Sequence, residues 1–304
     1  MLNKLTRSWS LFTTSLQIIR QNRKLLLFPL VVSACSLVML LFFVAPALLY
    51  PSGHSLAEFA HWQAVGNRIG LNFEGSRSQL HPNLLVYGYS AVIYLVSMFT
   101  ATFFNVAFYN EILKALAGEP VSIRAGLRFA SSRLPSIFAW SLFAGLVGLI
   151  IKVLEERFGW VGRWVMRFIG MIWSVASVFA IPVIIREGGT NPVVLLRNSA
   201  MTLRKTWGES LIGYAGIALG SWLMVAASVL WLGGALAVTF LSNSPVPIIL
   251  AGVVWLGAML LLRYFASAAG HVYRCALYVY ASEGVVPAPY SAAMMDAGWK
   301  IKRS

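Results

Sequence analysis

Residues 25–49 read LLLFPLVVSACSLVMLLFFVAPALL, a run with no charged residue that is entered through Arg20, Arg23 and Lys24. About 20 mainly apolar residues cross a bilayer's hydrocarbon core as a helix, and a helix satisfies its own backbone groups where there is no water. Comparable runs recur along the chain, which predicts six transmembrane helices at 25–49, 83–109, 135–154, 161–185, 210–240 and 247–280. The runs are continuous and do not alternate in short segments, as barrel strands do. The expected fold is all-α, a polytopic membrane helix bundle forming a single integral membrane domain over residues 1–304.

Composition agrees. Apolar residues make up 59% of the chain and charged residues 11%, too few charges to cover a water-exposed surface. The net charge of +14 is spread over the ends of apolar runs. It therefore points to anionic lipid headgroups, not to nucleic acid. Cys35 and Cys275 stand far apart within apolar runs, so they read as buried thiols and not as a disulfide or metal pair. Ala45-Pro46-Ala47 has a signal-peptidase form, but the apolar run before it is longer than a signal core, and retention is expected.

Orientation follows from the basic residues. Arg20, Arg23, Lys24, Lys114, Arg124, Arg128, Arg133, Arg186, Arg197 and Arg204 flank one side of the spans, while the other side carries fewer, partly offset by Glu58, Glu74, Glu155 and Glu156. By the positive-inside rule both termini are cytoplasmic, and the expected site is a prokaryotic inner membrane.

A recurrence organises the chain. After the second, fourth and sixth spans comes a Glu beside a Gly, then a Pro, then an amphipathic segment: Gly118-Glu119-Pro120, Glu187-Gly188 through Pro192, and Glu283-Gly284 through Pro287. Gly suits the left-handed cap that ends a helix and Pro the first turn of the next. At the N-terminus, Leu5, Trp9, Phe12, Leu16 and Ile19 fall on one helical face, which predicts a helix lying in the cytoplasmic interface. The expected architecture is three repeats of interfacial amphipathic helix plus transmembrane hairpin, at about 1–109, 119–185 and 192–282, with a C-terminal interfacial helix at 288–304.

Arg7-Ser8-Trp9 with Leu26-Leu27-Phe28-Pro29, Ala139-Trp140 through Gly148 with Leu154-Glu155-Glu156-Arg157, Thr206-Trp207-Gly208-Glu209, and Ala276 through Ala281 are the landmarks of a resemblance. They resemble an uncharacterised prokaryotic family of six-span integral membrane proteins, catalogued as a domain of unknown function. That resemblance implies a fold but no activity, cofactor or site residue. The cadence is more distantly similar to the membrane domain of glycerophosphodiester phosphodiesterases, which implies lipid-related roles.

Six polar residues stand out within apolar runs: Asn105, Asn110 and Glu111 in the second, and Arg263, His271 and Arg274 in the sixth. The sixth run overshoots the bilayer, so its polar residues sit in a cytoplasmic extension or in a helix broken near Gly270. Charged residues at such depth face a protein interior or a wet cavity and find partners. Glu111 is the expected partner of Arg274 or Arg263, and the arginines suit a phosphate or carboxylate. The plainer alternative is snorkelling and structural ion pairs.

Three further groups invite chemistry. Glu119, Glu187 and Glu283 would converge if the repeats met on an axis, although each also suits a local cap. His54, Glu58 and His61 would share a face if 54–62 were helical, a weak metal candidate. Glu155-Glu156 is similar to the paired glutamates of some intramembrane proteases, but the accompanying arginine and histidine spacings are missing. No base, nucleophile and oxyanion donors assemble from named positions, so neither an enzyme nor a cofactor is expected. Gly213, Gly216 and Gly220, with Ala144/Gly148 and Ala266/Gly270, give small-residue helix contacts, within the chain or to a second copy or partner membrane protein. The leading expectation is a passive module that binds or passes a small anionic solute or lipid headgroup through a cytoplasm-facing cavity. A membrane-embedded scaffold or assembly factor is the alternative.

Overall fold

The computed structural model describes residues 2–68, 84–206 and 211–292. The regular elements among them are all helical: α1 (Leu2–Gln21), a 3-10 turn (Arg23–Leu26), α2 (Leu27–Leu48), α3 (Phe59–Arg68), α4 (Leu84–Leu116), α5 (Ile123–Ser132), α6 (Leu134–Arg157), α7 (Trp160–Ala176), α8 (Ala180–Glu187), α9 (Pro192–Thr206), α10 (Leu211–Ser242) and α11 (Val246–Glu283). His81, Trp207 and the segment from 293 lie outside the described residues, as do the contacts of Gly213, Gly216 and Gly220.

Five described helical stretches are long and apolar enough to cross a membrane: Arg23–Leu48, Val86–Leu116, Leu134–Arg157, Gly162–Glu187 and Val246–Glu283. This is a multi-pass membrane protein. The expected span at 210–240 falls on α10, whose described apolar part is Ala226–Ser242.

α4 and α11 run unbroken for 33 and 38 residues. Of the two alternatives for the sixth run, a break near Gly270 is therefore absent and an overlong helix is present, α11 being about 57 Å long at 1.5 Å per residue. The break falls instead in the fourth span, between α7 and α8. There the Ser199 hydroxyl, fully buried on α9, donates to the Ala176 carbonyl at 2.6 Å and accepts from the Phe179 amide at 3.0 Å. A kink strands backbone groups that water cannot reach, and a neighbouring helix's hydroxyl restores their partners.

Gly118, Gly188 and Gly284 end α4, α8 and α11 with φ of 77°, 64° and 70°. Each takes the left-handed cap expected of it. Around Gly118 the Glu119 amide closes back onto the Lys114 carbonyl at 2.9 Å.

The amphipathic helices do not simply float at an interface. α5 packs against α4, α9 against α8, and α1 against α11, so each lies on the helix that completes a hairpin. α9 buries Leu195, Ser199 and Leu203, one per turn. Among the described side chains α1 buries Thr14, Ser15, Ile18 and Ile19, with Phe12 and Leu16 of the expected stripe partly buried against the core, so the buried face is shifted to take in Thr14 and Ser15. The turn arises because α1 packs on α11 and holds Tyr290 through the Ser15 hydroxyl, 2.7 Å from the phenol oxygen, so protein and not lipid selects the face.

α4 touches both α8 and α11. Burial concentrates where these three end, in Val106, Ala107 and Ile112 of α4, Val183 and Ile184 of α8, and Ala268, Val272 and Ala276 of α11. At the opposite end, Phe42, Leu49, Phe240 and Leu241 are exposed, a surface whose natural solvent is lipid. The bundle is thus tight at the glycine-capped end and open at the other.

Candidate functional site

The polar residues of α4 and α11 separate into two clusters at the tight end. In the first, the Tyr109 hydroxyl stands 2.9 Å from Arg274 Nη1 and 2.9 Å from His271 Nδ1. Arginine can only donate, so the phenol accepts from Arg274, and it shares a second hydrogen bond with His271 Nδ1. The imidazole is held edge-on by Phe108 and Tyr109, at centroid distances of 5.5 and 5.3 Å, and Phe108 in turn stacks on Phe28 at 5.2 Å. Tyr109 is buried, whereas Arg274 is exposed and has no carboxylate partner among the described residues. One guanidinium nitrogen is thereby held by a buried phenol while the residue as a whole remains exposed.

The second cluster corrects the expected pairing. Glu111 is fully buried, but its partners are Lys114 Nζ at 2.9 Å, Asn110 Nδ2 at 3.0 Å and the Ser122 amide at 2.7 Å, and neither Arg263 nor Arg274. Ser122 is the N-cap of α5, so Glu111 ties α4 to the start of α5. Gly126 permits this approach: a Cβ there would lie 2.8 Å from Glu111 Cγ and 2.9 Å from the Ala107 carbonyl oxygen.

The remaining expected cavity residues stand apart. Arg263 is exposed and without an ion pair among the described residues, eleven residues or about 16 Å along the helix from Arg274. Asn105 is half-buried, one turn before Tyr109. Tyr109 itself was not legible as a site residue, because a tyrosine in an apolar run reads as core. The available signal was its place immediately before Asn110-Glu111.

The three turn carboxylates do not converge. Glu187 accepts from Asn198 Nδ2 at 2.6 Å, Glu283 from Arg186 Nη2 at 2.7 Å, and Glu119 is exposed. Glu187 thereby ties α8 to α9, and Glu283 ties the end of α11 to the end of α8 through Arg186. Glu155 pairs with Arg167 at 2.9 Å across the α6–α7 hairpin.

The loop histidines also part company. Helix α3 begins at Phe59, so 54–62 is not one helix. His54 meets Glu58 at 3.2 Å on the surface, while His61 is buried with Nδ1 2.7 Å from Ser52 Oγ and Nε2 3.1 Å from the Ala47 carbonyl. Both His61 nitrogens are occupied in holding the end of α2, which leaves no lone pair for a metal. Among the described residues no three His, Cys, Asp or Glu side chains group as ligands.

An apolar groove lies between the start of α2 and α11, lined by Leu26, Leu30, Leu260, Leu261 and Tyr264. The Tyr264 hydroxyl donates to the Leu26 carbonyl and closes the floor of the groove.

Residues 85–287 match a family of unknown function, DUF6159. No curated protein and no solved structure matches the chain.

Proposed function

This chain belongs to the DUF6159 family of unknown function, and we propose from its geometry that it is a passive membrane module binding an anionic group at the ends of its second and sixth spans. The ligand class is a phosphate or carboxylate, on a small solute or a lipid headgroup. A single observation carries the reading: Arg274 is exposed, unpaired with any described carboxylate, and oriented by a buried tyrosine that also fixes His271. An arginine pre-organised on one edge binds an oxyanion on the other through forked, charge-assisted hydrogen bonds.

The topology belongs to the same proposal. Six spans, formed by α2, α4, α6, α7 with α8, α10 and α11, put both termini on the cytoplasmic face of a prokaryotic inner membrane, where the basic flanks lie. Three repeats of amphipathic helix plus hairpin account for the three left-handed glycine caps and for the packing of α1, α5 and α9 each on a hairpin-completing helix. Val106 and Ala107 of α4 and Ala268 and Val272 of α11 are all buried on two helices that touch, which supports binding at this end over open passage through it.

The test is anion binding by the reconstituted full chain. Arg274→Gln and Tyr109→Phe should each weaken binding, the first by about tenfold or more as a charge-assisted hydrogen bond is lost, while Arg274→Lys retains part of it. Unchanged binding in Arg274→Gln overturns the proposal. A scaffold role is the second reading, favoured by the exposure of the outer halves of α10 and α11. Co-purification of one stoichiometric membrane partner that buries this hairpin would support it.

A further inference from the structure

We infer that the Arg274 site stands in water beyond the membrane surface and takes a small water-soluble anion, not a lipid headgroup, which rests on the anion-binding reading and narrows its ligand class. Exposed side chains record the solvent they face. Between Val246 and Phe265 the large exposed residues of α11 are apolar, among them Val253, Leu256 and Leu260, with Arg263 the exception. Past Ala268 the exposed positions of α11 are Gly270, Arg274, Ser282 and Glu283. The fourth span changes in the same way. Past Arg167, α7 exposes Phe168, Ile169 and Ile172, but on α8 the exposed residues are Arg186 and Glu187. Hydrocarbon tolerates the first kind of surface and not the second.

The change falls at one depth. Burial in the first span ends at Phe28, and it begins at Thr102 and Val106 in the second, at Phe179 in the fourth and at Ala268 in the sixth. α6 carries it deeper, to Gly145, where it packs on Tyr94 of α4. From the opposite ends of those four spans, at Leu48, Leu84, Trp160 and Val246, these points are about 20 residues or about 30 Å away, the thickness of the hydrocarbon core. Tyr264 marks the same level independently, since its hydroxyl donates to the Leu26 carbonyl at the start of α2, beside Arg23 and Lys24. His271 and Arg274 lie about 10 and 15 Å further along α11, whereas the headgroup layer on each side of a bilayer is about 5–8 Å thick. Both are held at the Tyr109 hydroxyl, so the guanidinium is kept at this level and does not reach back to the headgroups. The helices around it agree: Arg124 and Arg128 on α5 and Arg197 and Arg204 on α9 are exposed and in no ion pair among the described residues. Their positive field draws small anions from water.

Depth and ligand are measured separately on the full chain. In nanodiscs of dioleoyl phosphatidylcholine, single cysteine substitutions on α11 are challenged with a membrane-impermeant maleimide. Gly270→Cys, where a side chain meets nothing within 4 Å, should be labelled as readily as Ser282→Cys at the helix end, while Leu260→Cys and the wild type stay unlabelled. Protection of Gly270→Cys equal to that of Leu260→Cys places the site in the bilayer and overturns the inference, whatever binds there. For the ligand, the detergent-solubilised chain is titrated calorimetrically with inorganic phosphate and with succinate. Arg274→Gln should weaken the binding about tenfold or more. Dioleoyl phosphatidylglycerol, in enough salt to screen its charge, should leave the wild-type affinity unchanged. Displacement by the lipid overturns the soluble ligand and leaves the anion site standing. If neither probe binds in a manner that depends on Arg274, the anion-binding reading and this inference fall together.

Discussion

Ser199→Ala isolates the contact that holds the fourth span together at its break. The hydroxyl is fully buried and makes two bonds to backbone, donating to Ala176 at 2.6 Å and accepting from Phe179 at 3.0 Å. Alanine removes both and leaves a carbonyl and an amide with no water to turn to. Hydrogen bonds inside membrane proteins average about 0.6 kcal/mol and reach about 1.7, so losing two costs about 1 to 3 kcal/mol. Ser141→Ala is the matched control. Ser141 is equally buried, but its hydroxyl donates at 2.7 Å to Ile137, one turn back in the same helix, to a carbonyl that the helix already serves. Its loss should cost under about 0.6 kcal/mol. Equilibrium unfolding in mixed micelles, followed by tryptophan fluorescence, compares the two. If Ser199→Ala is no more costly than Ser141→Ala, the hydroxyl does not sustain the break and the account of the kink is wrong.

Two glycines should respond with opposite signs in the same unfolding assay. Gly126→Ala drives a Cβ into Glu111 and the Ala107 carbonyl, backbone that cannot swing aside, and should destabilise by about 1–3 kcal/mol, whereas Gly270→Ala meets nothing within 4 Å and should be neutral or stabilising by up to about 1 kcal/mol. Zinc titration should leave the midpoint unchanged, and His61→Ala should destabilise by about 1–2 kcal/mol through loss of its bonds to Ser52 and Ala47, while His54→Ala, at an exposed pair, changes little. Burial foremost pushes the Tyr290 phenol above the usual 10.0, the Ser15 hydrogen bond pulling the other way. The unfolded phenol ionises first, so this contribution is fully present below pH 10.0 and is lost as pH rises toward the folded value. Tyr290→Phe should remove that part of the alkaline loss, and a wild type and variant with identical alkaline profiles would refute the assignment.

What the sequence determined by itself is whatever depends on local composition and on the solvent. A charge-free run such as 25–49 can be stable only as a helix in lipid, whatever its neighbours do, and a glycine at 118, 188 and 284, followed within four residues by a proline, stops a helix for reasons internal to the turn. Basic flanks likewise carry the proposed orientation without any tertiary contact. The match at 85–287 to a family of unknown function agrees with the expected resemblance to an uncharacterised family and adds no chemistry to it.

Only the tertiary structure decided which polar groups meet. From sequence, Glu111 and Arg274 are opposite charges in two overlong spans and look like partners. In the fold, Gly126 lets α5 come close enough to claim Glu111, and Arg274 turns to Tyr109. The face that α1 buries and the break that Ser199 repairs escape periodicity for the same reason. Helical phase specifies which residues share a side but not what stands opposite, and in a bilayer the apolar side of a helix packs equally well on lipid or on protein. His61 is the sharpest case: its spacing from Glu58 suggested a metal, and its surroundings at Ser52 and Ala47 made it the clasp on the end of α2.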